Sequence, residues 1–213
     1  PAAAPASAAP AVAPASTVAK QASSETETII ENDLYRITFT NRGAQVKSWI
    51  LKKYDNEGQN GPLDLVHSTA AAQYGYPLSL WTYDETLRNK LSSALYLLGS
   101  DSPVKVEKIG SVYAAPATIT FEYADQDLAV RKMFRFDHTY VVKVETSGTY
   151  KGSPMAALPA WPSGFGDQTT AAFYASGLIG YQFQKNIERL PIKKISGGAT
   201  IPGPFHWAGP TAP

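Results

Sequence analysis

The feature that most constrains the fold is a stretch of alternating apolar and polar residues at positions 34–54. The apolar positions of its first arm are Tyr35, Ile37 and Phe39. This period of two is typical of a half-buried strand, and a second alternating arm follows. Between the arms lies Asn41-Arg42-Gly43, a short loop that ends in the residue best suited to positive φ. The stretch therefore predicts a β-hairpin in which Asn41, Arg42 and Gly43 form a structural turn rather than a binding site.

A second alternating region spans residues 117–146 and predicts three consecutive strands, at 117–123, 128–137 and 140–146. Short polar turns separate these strands, the first being Asp125-Gln126-Asp127. Consecutive strands joined by tight turns are typical of an antiparallel β-meander. One face of the middle strand carries Leu128, Val130, Lys132, Phe134 and Phe136.

Only one helix is predicted. Asp84 is a suitable N-cap, and leucines at helical spacing follow it up to Gly99, where we expect the helix to end. Residues 70–75 are small and suggest a loop. Further extended segments are expected at residues 29–30, 63–66, 76–81, 105–109, 171–175 and 178–183.

Residues 1–28 differ in composition from the rest of the chain. The first nineteen are almost entirely Ala, Pro, Ser, Val and Thr. Repeated proline blocks a continuous helix and favours extended conformations, so this region is expected to be a disordered linker that spaces a domain from a surface. The folded domain is expected to occupy residues 29–213.

Composition excludes several classes of function. The 213-residue chain has a net charge of +1, with its basic residues scattered, which argues against nucleic-acid binding. It has no cysteine, which excludes disulfides, thiolate zinc sites and cysteine nucleophiles. Its histidines lie far apart in the sequence, at His67, His138 and His206. We therefore expect no catalytic residue, no metal site and no cofactor.

The candidate interaction loop is a stretch rich in Pro and Gly that contains Trp161, Phe165 and Asp167. Exposed aromatic side chains in such a loop can stack on sugars or bind a partner peptide. Buried aromatic side chains can instead fix the loop to the core, and we favour this structural interpretation over a binding role.

Two sequence stretches, LYRITFTNRGAQVKSWILKKY and ITFEYADQDLAVRKMFRFDHTYVVKVET, together with the Ala/Pro-rich linker, carry a resemblance to a known family. They resemble the periplasmic domain of YidC-type membrane protein insertases in order and spacing. The resemblance implies a mainly all-β fold, an antiparallel β-supersandwich like that of galactose mutarotases. It also implies that the domain ends beyond Pro213, so that the sandwich is incomplete at its C-terminus.

The same resemblance implies a place and a role. The host protein would insert and fold membrane proteins in the bacterial inner membrane, with nascent membrane proteins and the Sec translocon as partners. Its insertase activity would belong to transmembrane helices absent from this chain, and this domain would be a periplasmic, non-catalytic scaffold. Two alternatives remain open: an aldose epimerase or glycosidase-type sandwich enzyme, and a carbohydrate- or peptide-binding sandwich that uses Trp161 and Phe165.

Overall fold

The computed structural model describes residues 19–56, 58, 60–100, 112–164, 178–183, 185–191 and 205–211. Four predictions lie outside these residues: the strands at 105–109 and 171–175, the first eighteen residues of the linker, and the loop positions Phe165 and Asp167.

The predicted hairpin forms the centre of the first sheet. Its five strands are β1 (Glu27–Glu31), β2 (Tyr35–Thr40), β3 (Gln45–Asp55), β4 (Pro62–Asp64) and β7 (Val112–Ala114), in the order β4-β3-β2-β1-β7. All neighbours are antiparallel except β1 and β7, which pair in parallel. A parallel pair needs a long crossover, and the chain from Glu31 to Val112 supplies one. Local sequence patterns carry no sign of such a distant pair.

The predicted meander forms the second sheet. Its strands are β6 (Leu97–Ser100), β8 (Ala117–Ala124), β9 (Leu128–Phe136), β10 (Val142–Tyr150) and β11 (Ser153–Pro154), all antiparallel in the order β11-β10-β9-β8-β6. The turn between β8 and β9 is held by Asp125, whose carboxylate accepts hydrogen bonds from the backbone N–H groups of Asp127 and Leu128. The meander prediction is confirmed.

The two sheets pack face to face through their aromatic side chains. The ring of Phe39 on β2 lies 4.9 Å from that of Phe134 and 5.9 Å from that of Phe121 on the opposite sheet. These residues are fully buried, as are Tyr35 and Ile37. Inward-facing residues from both sheets thus share one core, which confirms the mainly β sandwich.

The described residues include two helices, α1 (Ser68–Tyr74) and α2 (Glu85–Ser93), where the sequence suggested one. The segment of α1 was predicted as a loop. It begins at His67, whose Nδ1 accepts a hydrogen bond from the Ala70 N–H, and histidine is not among the usual N-cap residues. A helix of seven residues also carries little periodicity to recognise.

The predicted start of α2 is confirmed, because the Asp84 carboxylate accepts a hydrogen bond from the Leu87 N–H at 3.0 Å. The predicted end at Gly99 is wrong. The helix ends at Ser93, Ala94 is already extended, and Gly99 lies in strand β6. The apolar residues after Ser93 belong to a strand, although their spacing also fits a helix.

The remaining strands form two small sheets. Strands β5 (Ser79–Trp81) and β12 (Leu158–Ala160) are paired, and β13 (Leu178–Phe183) lies between β14 (Asn186–Pro191) and β15 (Phe205–Thr211). The prediction of extended structure at residues 178–183 is confirmed. No helix in the described part of the chain is long and apolar enough to cross a membrane.

Candidate interaction surface

The hairpin turn is more deeply buried than a surface loop. Gly43 has φ of +65°, as predicted, and Ala44 also has positive φ, so the turn comprises four residues, 41–44. The Asn41 side chain is only 2% exposed. Its Oδ1 accepts a hydrogen bond from the Thr26 N–H at 2.8 Å, and its Nδ2 donates to the Tyr96 carbonyl at 3.3 Å. These contacts favour a structural role for the turn.

Lys132 on β9 points into the core, on the same face as Leu128, Val130, Phe134 and Phe136, and its exposure is 0%. Its ammonium group donates hydrogen bonds to the backbone carbonyls of Gly43, Ala44 and Leu78. Burial lowers the pKa of Lys132 to about 7, since desolvation disfavours the charged form. The three acceptors offset part of that cost, because an ammonium group has three hydrogens to donate. Lys132 thus joins the second sheet to the turn of the first.

Trp161 is the one member of the predicted interaction loop that lies within the described residues. Its ring lies 5.8 Å from that of Trp49, and it packs against the edge of the core. The next residue, Pro162, lies against Gly75. These contacts agree with the interpretation that Trp161 fixes the loop to the domain. Because Phe165 and Asp167 lie outside the described residues, the grouping of the three loop residues stays a prediction.

An exposed aromatic surface lies elsewhere, on β5, β12 and the start of α2. We call it the aromatic patch and define it by Trp81, Tyr83, Arg88 and Leu158. Tyr83 is 86% exposed, Leu158 is 52% exposed, and Leu158 is paired with Trp81 across the two strands. The Arg88 guanidinium lies 4.3 Å from the centre of the Trp81 ring and also donates a hydrogen bond to the Thr82 carbonyl.

The aromatic patch was not predicted from the sequence, because no local pattern marks its residues as exposed. Leu80 is buried, and Trp81 and Tyr83 stand one and three positions after it. Ser79, on the other side of Leu80, is buried as well, and Tyr83 lies beyond the end of β5 at Trp81. Strand alternation therefore does not give the orientation of the two aromatic side chains.

A shallow groove of about 380 Å³ lies on the second sheet, beside strands β8, β9 and β10. Three charged side chains form part of its lining: Lys20, Glu122 and Arg131. The Lys20 ammonium lies 2.7 Å from the Glu122 carboxylate, and the Arg131 Nε lies 3.8 Å from the same group. Two cations therefore share one carboxylate at the groove.

Two of the titratable groups considered for catalysis, His67 and Asp125, have structural partners. His67 caps α1, and His138 is exposed in the turn between β9 and β10. Burial alone would raise the pKa of Asp125, but hydrogen bonds from Lys90, Tyr123 and the turn backbone outweigh it and lower that pKa to about 2. Among the residues that the structure describes, no three His, Asp or Glu side chains are grouped so as to hold a metal ion.

Comparison with known families identifies the domain. The family model of the YidC periplasmic domain matches residues 27–200, most of the chain. The chain belongs to the YidC periplasmic domain family. It is accordingly the periplasmic domain of a bacterial inner-membrane protein insertase, in agreement with the resemblance seen in the hairpin and the meander. A search of curated proteins found no match.

Proposed function

We propose that this YidC periplasmic domain is a non-catalytic scaffold whose aromatic patch is the contact surface for periplasmic parts of the Sec translocon. The observation that carries the proposal is the exposure of Trp81, Tyr83 and Leu158, of which Trp81 and Leu158 are cross-strand partners, on a sandwich whose centre is filled. The class of partner follows from the resemblance to insertases that work with the translocon.

The packed interior supports the non-catalytic part of the proposal. Buried phenylalanines occupy the space between the sheets, and Lys132 is saturated by backbone carbonyls. An epimerase needs a histidine acid and a carboxylate base that face one cleft. His67 instead caps a helix, and His138 lies in an exposed turn.

The chemistry of the aromatic patch supports the contact surface. Trp, Tyr and Arg are the residues most enriched at the energetic centres of protein interfaces. Here the Arg88 guanidinium stacks on Trp81, so the two side chains hold each other in place. Paired strands and the N-terminus of α2 carry the patch, which gives a partner a rigid surface.

Site-specific crosslinking in the full-length insertase tests the contact. A photoreactive amino acid at Tyr83 should crosslink to a periplasmic segment of the translocon in native membranes. The matched control is the same substitution at Lys143, an exposed residue on β10. Equal crosslinking from both positions, or none from Tyr83, would overturn the proposed contact.

An enzymatic assay tests the non-catalytic assignment. Polarimetry with several aldoses should show mutarotation at the rate of buffer alone. Turnover above that rate would contradict the scaffold assignment and support the epimerase alternative.

A further inference from the structure

Residues 20–26, part of the expected linker, cross from one sheet to the other before β1 begins. We call this segment the strap. At its first end, the backbone of Lys20 exchanges two hydrogen bonds of 2.9 Å with Ala124 on β8. The Lys20 ammonium also contacts the Glu122 carboxylate. The strap therefore begins as an added strand residue at the edge of the second sheet.

The other end of the strap lies on the turn of the first sheet. The Asn41 side chain accepts a hydrogen bond from the Thr26 N–H and donates one to the Ser24 carbonyl at 3.0 Å. The Asn41 N–H in turn donates to the Thr26 carbonyl. One residue therefore holds the strap by three hydrogen bonds.

An ion pair adds to this attachment. The Arg42 Nε lies 2.9 Å from the Glu25 carboxylate, which also accepts a hydrogen bond from the Thr40 hydroxyl. Both side chains of the pair are more than a third exposed, so its contribution to the attachment is small.

The strap is attached almost entirely by polar contacts. Six of its seven residues are exposed, and only Ala22 is half-buried, with its N–H bonded to the Leu95 carbonyl. Segments that bury little apolar surface open locally at a lower free energy than the core unfolds. The strap can therefore detach while the sandwich stays folded.

We propose that the strap is a clasp with two states, docked on the domain and released from it. Release lengthens the linker that precedes the strap. When the strap is docked, the linker meets the domain beside Ala124, and Lys20 forms part of the groove lining. When it is released, the seven residues add up to about 23 Å of reach, and the groove loses the Lys20 contribution. Release of the clasp thus changes the length of the linker and the shape of the groove together.

Amide hydrogen exchange on the 213-residue chain tests whether the clasp opens independently. The amides of Lys20, Ala22 and Thr26 should exchange faster than core amides such as that of Phe121, because a local opening of the strap exposes them. Asn41→Ala should accelerate exchange at these three amides at least tenfold. The result that would overturn the proposal is exchange of the strap amides at the same rate as the core, in the parent chain and in the variant.

The matched control is Asn32→Ala. Asn32 also makes three side-chain hydrogen bonds to backbone groups, but to those of Leu34, Tyr35 and Asp137, away from the strap. Asn32→Ala should not selectively accelerate hydrogen exchange at the strap amides. Glu25→Gln, at an exposed position, gives a milder second variant with an expected twofold to fivefold acceleration.

The length change has its own measurement. Because the chain has no cysteine, spin labels can be attached at Ala19→Cys and Lys143→Cys alone. Pulsed electron paramagnetic resonance should show one short distance between the two spin labels in the parent chain. After Asn41→Ala it should show an additional, longer distance. An unchanged distance distribution in that variant would refute the release of the strap.

Discussion

Two hairpin turns, one from each sheet of the sandwich, have polar sequences but very different surroundings. In the turn at residues 137–139, the Asp137 carboxylate accepts hydrogen bonds from the N–H and hydroxyl of Thr139, two residues away, and the turn is exposed. In the turn at residues 41–44, the Asn41 side chain instead bonds to Ser24, Thr26 and Tyr96. The Asp137 side chain therefore stabilises its own turn, whereas the Asn41 side chain joins its turn to distant parts of the chain.

Lys132 adds a second set of long-range contacts to the 41–44 turn. It reaches from the second sheet to the carbonyls of Gly43 and Ala44, while Asn41 holds the strap on the other side of the same turn. The 41–44 turn is therefore a junction of both sheets and the N-terminal segment. Changes at the junction should cost far more than equal changes at exposed sites.

The largest effect is expected for Lys132→Met. The substitution keeps the apolar volume but leaves three carbonyls without their donor, which should lower the free energy of unfolding by about 3 kcal/mol. Urea unfolding measures the loss, and Lys143→Met on the exposed face of β10 is the control, with a change within about 0.5 kcal/mol. A loss below about 1 kcal/mol at Lys132 would show that the junction is not held by this side chain.

The buried lysine also predicts a dependence on pH. Between pH 7 and 9.5 the unfolded chain keeps Lys132 protonated, whereas the folded state, with its pKa lowered to about 7, does not. The unfolded state then binds more protons, so the free energy of unfolding should rise with pH, by up to about 1.4 kcal/mol per unit. Lys132→Met should lack this rise. If the free energy of unfolding rose equally with pH in the parent chain and in Lys132→Met, the assignment of the rise to Lys132 would be wrong.

Two glycines allow a smaller, matched comparison of close packing. Gly43 and Gly152 both have positive φ, but a Cβ on Gly43 would lie 2.5 Å from the Ser92 carbonyl oxygen, while one on Gly152 would meet nothing within 4 Å. Gly152→Ala should cost about 1 kcal/mol from backbone strain alone, and Gly43→Ala about twice that or more. Thermal unfolding of the two variants measures the difference. Equal losses would show that the junction can relax around the added methyl group.

The smallest effect is expected for Asp137→Ala. Its side-chain bonds are local and exposed, so the urea midpoint should shift much less than for Asn41→Ala, which removes three long-range hydrogen bonds. Shifts of the same size at both positions would remove the distinction between the two turns.

Strand alternation was sufficient to predict the hairpin, the meander and the apolar neighbours that share a strand face with Lys132. Each of these depends on residues close together in the sequence. The acceptors of Lys132 could not be predicted, because Gly43, Ala44 and Leu78 come from segments far from it. The parallel pair of β1 and β7 was missed for the same reason.

The candidate surface was predicted less well than the fold. Trp161 was selected because it stands in a loop rich in Pro and Gly, yet it packs on Trp49. The exposed residue Trp81 ends the short strand β5, Tyr83 follows it, and the pairing of β5 with β12 depends on tertiary structure. The exposure of an aromatic side chain depends on what packs over it, and a local pattern does not show that.

The most direct test of the junction is a double-mutant cycle between Lys132→Met and Asn41→Ala. These side chains do not bond to each other, but both hold the 41–44 turn. If the turn acts as one unit, the double variant should lose at least about 1 kcal/mol less than the sum of the single losses in free energy of unfolding. Losses that add within about 0.3 kcal/mol would show two independent contacts and would contradict the junction.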